Sequence, residues 1–296
     1  MNNSLTRRSA IARLAGTAVV AASASLAHRL GAADAAAGAN LKGRINHSAC
    51  FWCYRDKKIS LEELCVAGKE IGLKSIDLLG PKEFPIIQKH GLVCAMVNGV
   101  PGGIPEGFNR VENHDKMIQY YERDMPKIAE AGYPNVICFS GNRKGMDDEK
   151  GMENCVTGLK KLMPLAEKHK VTVCMELLNS RHDHHDYMCD KSAWGVELCK
   201  RVGSEYFKLL FDIYHMQIME GDIVATIKEN GKYFGHYHTG GVPGRHEIDN
   251  TQELYYPVVM QAIADSGYKG FVAQEFVPTK PNPLDSLREC VNICDV

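Results

Sequence analysis

From residue 41 to the C-terminus, short apolar runs alternate with amphipathic stretches, and this alternation narrows the fold more than any other property of the chain. Strand-like runs are expected over residues 43–46, 75–79, 92–97, 135–139, 171–176, 207–212, 234–238 and 270–275. Between them, apolar residues recur at three- and four-residue spacing over 60–71, 114–131, 152–169, 194–202, 223–230, 254–266 and 284–291. In the third of these stretches Leu159, Leu162, Met163 and Ala166 share one helical face. Ser60 and Glu63 have the spacing of a capping box that opens the first helix, Gly72 ends it, and Gly132 closes the next. Strands separated by helices build a parallel sheet with the helices outside it. About eight alternations in roughly 250 residues fit a single-domain (β/α)8 TIM barrel over residues 41–296. An open doubly wound sheet is the alternative, but no glycine-rich phosphate loop follows the first strand. Neither an internal repeat nor a domain linker is visible.

The first forty residues depart from this pattern. Arg7 and Arg8 precede an Ala-rich apolar stretch over 14–27, which reads as a cleavable twin-arginine export signal over residues 1–40. That reading implies the twin-arginine translocase as a partner and a periplasmic location. The stretch is short for a bilayer span, and no later segment reaches spanning length, so no membrane association is expected once the signal is removed. Removing residues 1–40 takes away Arg7, Arg8, Arg13, Arg29 and Asp34, moving the formal charge from −1 to −4. A mildly acidic chain lacks the basic face of a nucleic-acid binder. The 11 cysteines include a Cys50–Cys53 pair, but no second pair stands at zinc-finger spacing. Buried thiols are therefore expected, with disulfide or redox use the alternative.

Four expected strands of the C-terminal half end in groups that bind hard cations: Glu176, Asp212, His238 and Glu275. On consecutive parallel strands of a barrel these side chains gather at the C-terminal rim, where such folds place their chemistry. Three carboxylates and an imidazole suit a divalent cation. His236 alternates with His238 and also points inward if Tyr237 faces the helices. The polar run at residues 182–186 reads as a solvated loop, with Tyr187 and Arg181 shaping a pocket wall. Asn98 and Ser140 end two further strands and are compatible with contacts to substrate hydroxyls. Asn46 and His47 close the first expected strand, and Trp52 and Tyr54 follow, open to a sugar-stacking or a packing role.

The pieces Glu176-Leu-Leu-Asn179, Asp212-Ile-Tyr-His215, His236-Tyr-His238, Val242-Pro-Gly-Arg-His-Glu247 and Gln274-Glu275 resemble the xylose isomerase-like TIM barrels, most of all the hydroxypyruvate isomerase branch. The resemblance covers essentially all of residues 41–296. It implies one divalent cation, manganese or magnesium, on Glu176, Asp212, His238 and Glu275. It also implies proton transfer by Glu176 and Glu275, and often assembly into dimers or tetramers. Hydroxypyruvate isomerases commonly carry glutamine where this chain has His238, whereas ketose 3-epimerases carry histidine.

Isomerising an α-hydroxy carbonyl removes a proton from carbon and leaves an enediolate whose charge a divalent cation can stabilise. Carboxylates on either side of the substrate can take the proton and return it to the neighbouring carbon. Around this pair, His215, Arg245, His236, Glu247 and Asn179 are the expected substrate-binding set. Arg245 would bind a carboxylate or hydroxyl through its planar fork, and Glu247 would hold Arg245. The expected partner is a small sugar or hydroxy-keto acid. The leading expectation is a hydroxypyruvate isomerase-like enzyme. A 3-epimerase or lyase on keto-sugars or 3-keto-glycosides is the alternative, and a non-catalytic sugar-binding barrel is the third.

Overall fold

A computed structural model describes residues 40–296, so residues 1–39 of the expected leader lie outside the described residues. Among the described residues seven strands form: β1 (Asn46–Cys50), β2 (Ser75–Asp77), β3 (Asn135–Cys138), β4 (Thr172–Glu176), β5 (Phe207–Asp212), β6 (Phe234–Thr239) and β7 (Phe271–Gln274). All pair in parallel, in the order β2-β1-β7-β6-β5-β4-β3. The run expected as a strand over 92–97 is instead held by single parallel bridges, Val93 to Ser75, Val97 to Leu79 and Val97 to Val136. These bridges span the gap between β2 and β3, so the segment acts as an eighth stave and the sheet closes into a barrel. Side chains replace part of the ladder here. The Ala95 amide donates to Ser75 Oγ (2.8 Å), and its carbonyl accepts from Asn135 Nδ2 (2.8 Å). The buried backbone is thereby satisfied without regular strand pairing.

Among the described residues ten helices surround the barrel: α1 (Trp52–Arg55), α2 (Leu61–Ile71), α3 (Phe84–Lys89), α4 (His114–Glu130), α5 (Asp148–His169), α6 (Ser192–Val202), α7 (Ile213–Met219), α8 (Ile223–Asn230), α9 (Tyr256–Asp265) and α10 (Pro283–Cys294). The capping box forms as expected, with the Ser60 amide on Glu63 Oε2 (2.8 Å) and the Glu63 amide on Ser60 Oγ (3.2 Å). Gly72 ends α2 at φ 97°, a conformation that favours glycine. The short helices α1, α3 and α7 escaped the periodicity reading, because four to seven residues give too few turns for a pattern. The first strand also shifts: it starts at Asn46 and runs to Cys50, after Gly43 has broken the extended backbone at φ 77°. Asn46 and His47 therefore lie at the N-terminal end of the barrel, away from the rim they were expected to join.

Strand alternation separates two faces. Val173, Met175, Leu209, Phe211, Tyr237 and Val272 belong to the large buried core between sheet and helices. Fully burying each such side chain contributes about 1.5–3 kcal/mol. The intervening residues fill the barrel lumen in two halves. Met96, Ile137, Cys174 and Leu210 form an apolar cluster. Ser48, Cys50, Ser75, Asp77, His236 and His238 occupy the polar half, all buried. The 11 cysteines are free and buried. Among the described residues, no helix is long and apolar enough to cross a membrane.

Candidate active site

The ends of β4, β5 and β6, with the residue after β7, bring Glu176, Asp212, His238 and Glu275 together. Each offers a ligand atom within 4.8 Å of the others, and all four are buried. His238 Nδ1 donates to Glu275 Oε2 (2.7 Å) and lies 3.8 Å from Glu176 Oε1. Arg245 Nη2 reaches Glu275 Oε2 (2.7 Å) and Asp212 Oδ2 (3.2 Å). The other oxygen of Asp212 caps α7 by accepting from the His215 amide (3.2 Å). Trp52 Nε1 donates to Glu275 Oε1 (2.7 Å), so both oxygens of that carboxylate are fixed.

Charge crowding in a dry site separates the ionisation of these groups. Burial, followed by the charge of Glu275, pushes Glu176 well above the usual carboxylate range. Burial also raises Asp212, to about 7, against the pull of Arg245. Glu275 goes the other way: burial opposes ionisation, but His238 and Arg245 hold it well below the usual range. Burial would lower His238, yet Glu275, Glu176 and Asp212 outweigh it and raise the imidazole to about 9. Three carboxylates that draw an arginine and a protonated imidazole into one cluster form a site that demands positive charge. The donor set, oxygen with one nitrogen at mutual reach, fits a hard divalent cation. Such an ion would reverse the raised shifts by stabilising the ionised carboxylates.

Glu176, Arg245 and Glu275 open onto a cavity of about 710 Å³, while Asp212 and His238 stand behind it. The Arg245 backbone adopts φ 57°, uncommon for a residue with a side chain, and its carbonyl accepts from the Val277 amide (2.7 Å). Its guanidinium packs over the rings of Trp52 and Tyr214, each 5.2 Å away.

The remaining expected site residues are distributed differently. His215 is fully buried, and burial and then Arg245 hold it well below its ordinary value, hence neutral. Its Nδ1 accepts from Asn179 Nδ2 (2.7 Å), which leaves its proton on Nε2, 3.6 Å from Asp212 Oδ2. Asn179 is oriented by the His182 and Asp183 amides on its Oδ1, so it positions His215 and does not line the cavity. His236 sits one pleat below His238 with Nε2 2.6 Å from Asp77 Oδ2, buried in the lumen and not among the residues that line the cavity. Glu247 does not hold Arg245. Its carboxylate accepts from the Thr279 amide (2.7 Å), Thr279 Oγ1 (2.8 Å), the Lys280 amide (3.2 Å) and Ser286 Oγ (2.6 Å). Arg245 is held by Glu275 and Asp212 instead, because its side chain turns inward where that of Glu247 turns toward α10. Tyr187 is buried and donates to the Glu176 carbonyl (2.9 Å), supporting the strand end from behind. Arg181 is exposed and donates to the Ile218 carbonyl (3.0 Å), away from the cavity. Ser140 is buried and accepts from the Cys189 amide (2.9 Å). Asn98 does line the cavity.

Sequence reasoning missed Asp77 and Cys50, which face the far side of His238 at 3.9 and 3.8 Å from Nε2. Asp77 ends β2 as the metal-type groups end their strands, and that parity was the available signal. His184, expected in a solvated loop, lines the cavity and stacks edge-on against His215.

A family model described as xylose isomerase-like TIM barrel matches residues 85–291. The 2-oxo-tetronate isomerase of Cupriavidus necator is 39% identical over 108 residues, covering 36% of this chain and 41% of that protein. The putative hydroxypyruvate isomerase of Homo sapiens is 36% identical over 104 residues, covering 35% and 38% respectively. The chain thus spans about two fifths of the length of these relatives. Among solved structures, an AP endonuclease of family 2 from Brucella melitensis superposes with a TM-score of 0.71 at 23% identity, covering 82% of this chain and 97% of that one. At that identity the likeness is one of fold.

Proposed function

The chain belongs to the xylose isomerase-like TIM barrel family, and on that premise we propose that it is a divalent-metal-dependent isomerase acting on an α-hydroxy carbonyl compound through an enediolate. The observation that carries this reading is the disposition of the two glutamates. Glu176 and Glu275 both face the cavity from one four-group cluster. Two carboxylates on one wall of a cavity can take and return a proton in turn. Glu275, kept ionised by Arg245 and oriented by Trp52, takes the proton from the substrate carbon; Glu176 returns a proton to the neighbouring carbon. The roles exchange in the reverse direction. Manganese or magnesium, held by Glu176, Asp212, His238 and Glu275, would act as a Lewis acid on the substrate oxygens. Neutral His215 keeps its Nε2 proton on the side of Asp212 Oδ2 and so positions that ligand, and Arg245 shields the developing charge. The relatives named for 2-oxo-tetronate and hydroxypyruvate isomerisation support the isomerase class.

The test is proton NMR in deuterated water with manganese-loaded protein and α-hydroxy ketones. Deuterium should enter the carbon next to the carbonyl, and Glu176→Gln should abolish the exchange without unfolding the barrel. Undiminished exchange in that variant would remove Glu176 from the chemistry. His238 in place of the glutamine common in hydroxypyruvate isomerases favours a second reading, 3-epimerisation of a keto-sugar by the same proton transfer. The twin arginines at Arg7 and Arg8 support export to the periplasm; a reporter fused after residue 40 and followed in cells with and without the translocase tests that.

A further inference from the structure

The cavity is larger than the reaction centre requires. Its wall runs from Glu176, Glu275 and Arg245 to Arg55, Glu83, Asn98, Tyr120 and Phe139, across about 710 Å³. A three-carbon hydroxy-keto acid displaces on the order of 100 Å³, whereas pockets of about 300–1,000 Å³ hold molecules several times larger. Among the described residues, no hydrogen bond or ion pair links Arg55, Glu83, Asn98 or Tyr120 to the four-group cluster, so this part of the wall has its own chemistry.

That chemistry suits a hydroxylated ring. Trp52, Tyr120 and Phe139 present aromatic surface to the cavity. Polar capacity stands beside it. Asn98 Nδ2 donates to the Leu78 carbonyl (2.8 Å), leaving its Oδ1 to accept. Glu83 Oε2 accepts from the Gly80 amide (2.9 Å), leaving Oε1. The guanidinium of Arg55 rests on the Phe51 ring at 4.9 Å and has no carboxylate partner among the described residues. Apolar faces with a few convergent polar groups match the C–H faces and hydroxyl edges of a sugar. Arg245 is already bracketed by Asp212 and Glu275, so among the described residues Arg55 is the cation of this wall left to donate to a ligand oxygen.

We infer that the Arg55, Glu83, Asn98, Tyr120 and Phe139 side of the cavity is a subsite for a second hydroxylated ring, so that the preferred substrate is a keto-sugar bearing a glycosidic extension. This rests on the reading that Glu176 and Glu275 move the proton, but the subsite can be tested apart from it.

Saturation-transfer NMR and calorimetry on the full chain would compare cellobiose, methyl glucoside and hydroxypyruvate as probes. Cellobiose should bind at least about tenfold more tightly than methyl glucoside, and Glu83→Ala with Asn98→Ala should lower its affinity about tenfold, a difference of about 1.4 kcal/mol. Thermal melts of the double variant confirm that it is folded. Equal affinity for cellobiose and methyl glucoside, or a double variant that binds cellobiose as wild type does, overturns the subsite. Deuterium exchange with 3-keto-cellobiose, fructose and hydroxypyruvate then separates the two readings. Faster exchange of the keto-disaccharide supports the inference. Exchange of hydroxypyruvate alone overturns it and leaves the proton-transfer reading intact. Tight cellobiose binding with no exchange in any compound keeps the subsite and overturns the proton transfer.

Discussion

Replacing Glu247 by glutamine should weaken the fold by an amount the structure sets. The carboxylate accepts four hydrogen bonds that tie the loop after β6 to the loop after β7 and to α10. Burial opposes ionisation, but the hydrogen bonds from Ser286 and Thr279 prevail and hold its pKa at about 2, against an ordinary 4.5. That depression corresponds to an upper bound of about 3.4 kcal/mol in favour of the ionised, folded form. The group lies just beneath the surface, where solvent screening reduces the figure, so about 2 kcal/mol is expected. A glutamine amide keeps one oxygen to accept and turns its NH2 toward groups that also donate. In a chain of this size the loss should lower Tm by about 4–8 °C at pH 7. The pH dependence supplies the sharper check. Because the folded-state pKa lies below the unfolded one, the advantage of wild type is complete above pH 4.5 and disappears as pH falls toward 2. Urea unfolding of both proteins at pH 7, 4.5 and 3 measures this. A Glu247→Gln protein as stable as wild type at pH 7, or a gap that does not narrow with acid, would refute the reasoning.

Manganese at about a hundred times its Kd should stabilise the wild type by about 2.7 kcal/mol, seen as a rise in Tm that EDTA reverses and Asp212→Asn removes. His47 is buried without a hydrogen-bond partner, and burial lowers its pKa to about 4 despite Asp295 nearby. The unfolded chain then takes up a proton that the folded one refuses, so stability should fall as pH drops from 6.5 to 4, and His47→Gln should flatten that slope in urea titrations. Ser60→Ala removes the cap of α2 and should cost about 1 kcal/mol in denaturant midpoint measurements. Lys170 ends α5 at φ 55°, and Lys170→Gly should raise stability by about 0.5–1 kcal/mol because glycine adopts that conformation without a Cβ penalty.

Periodicity exposed the long helices and most strands because each buries a stripe or a face large enough to pattern a dozen residues. The same logic fails for residues 92–97, whose apolar pattern is that of a strand. At Ala95 the side chains of Ser75 and Asn135 take the place of a ladder partner, a long-range substitution that local sequence does not encode. Glu176, Asp212, His238 and Glu275 were legible because strand ends in a parallel barrel share one rim, so residue type and position suffice. Glu247 stands only two residues from Arg245, but the backbone turns at Arg245 (φ 57°) and sends the two side chains to different partners, which sequence spacing alone does not show. Asp77 and Cys50 end β2 and β1, but the expected strands ran over 75–79 and 43–46, so neither residue stood at an expected strand end.

The sulfur in the core affects how this protein fails. All 11 thiols are shut away in the folded state, and burial pushes those of Cys50, Cys94, Cys138 and Cys189 far above their ordinary range, where they are poor nucleophiles. An unfolding event releases them together into water as ordinary, reactive thiols spread along the chain. In air, each opening competes between refolding and cross-linking into mismatched pairs, so heating without reductant becomes irreversible and survival is governed by the rate of unfolding more than by its equilibrium. The barrel itself is the antioxidant: oxidative lifetime is set by how seldom the lumen and its shell come apart.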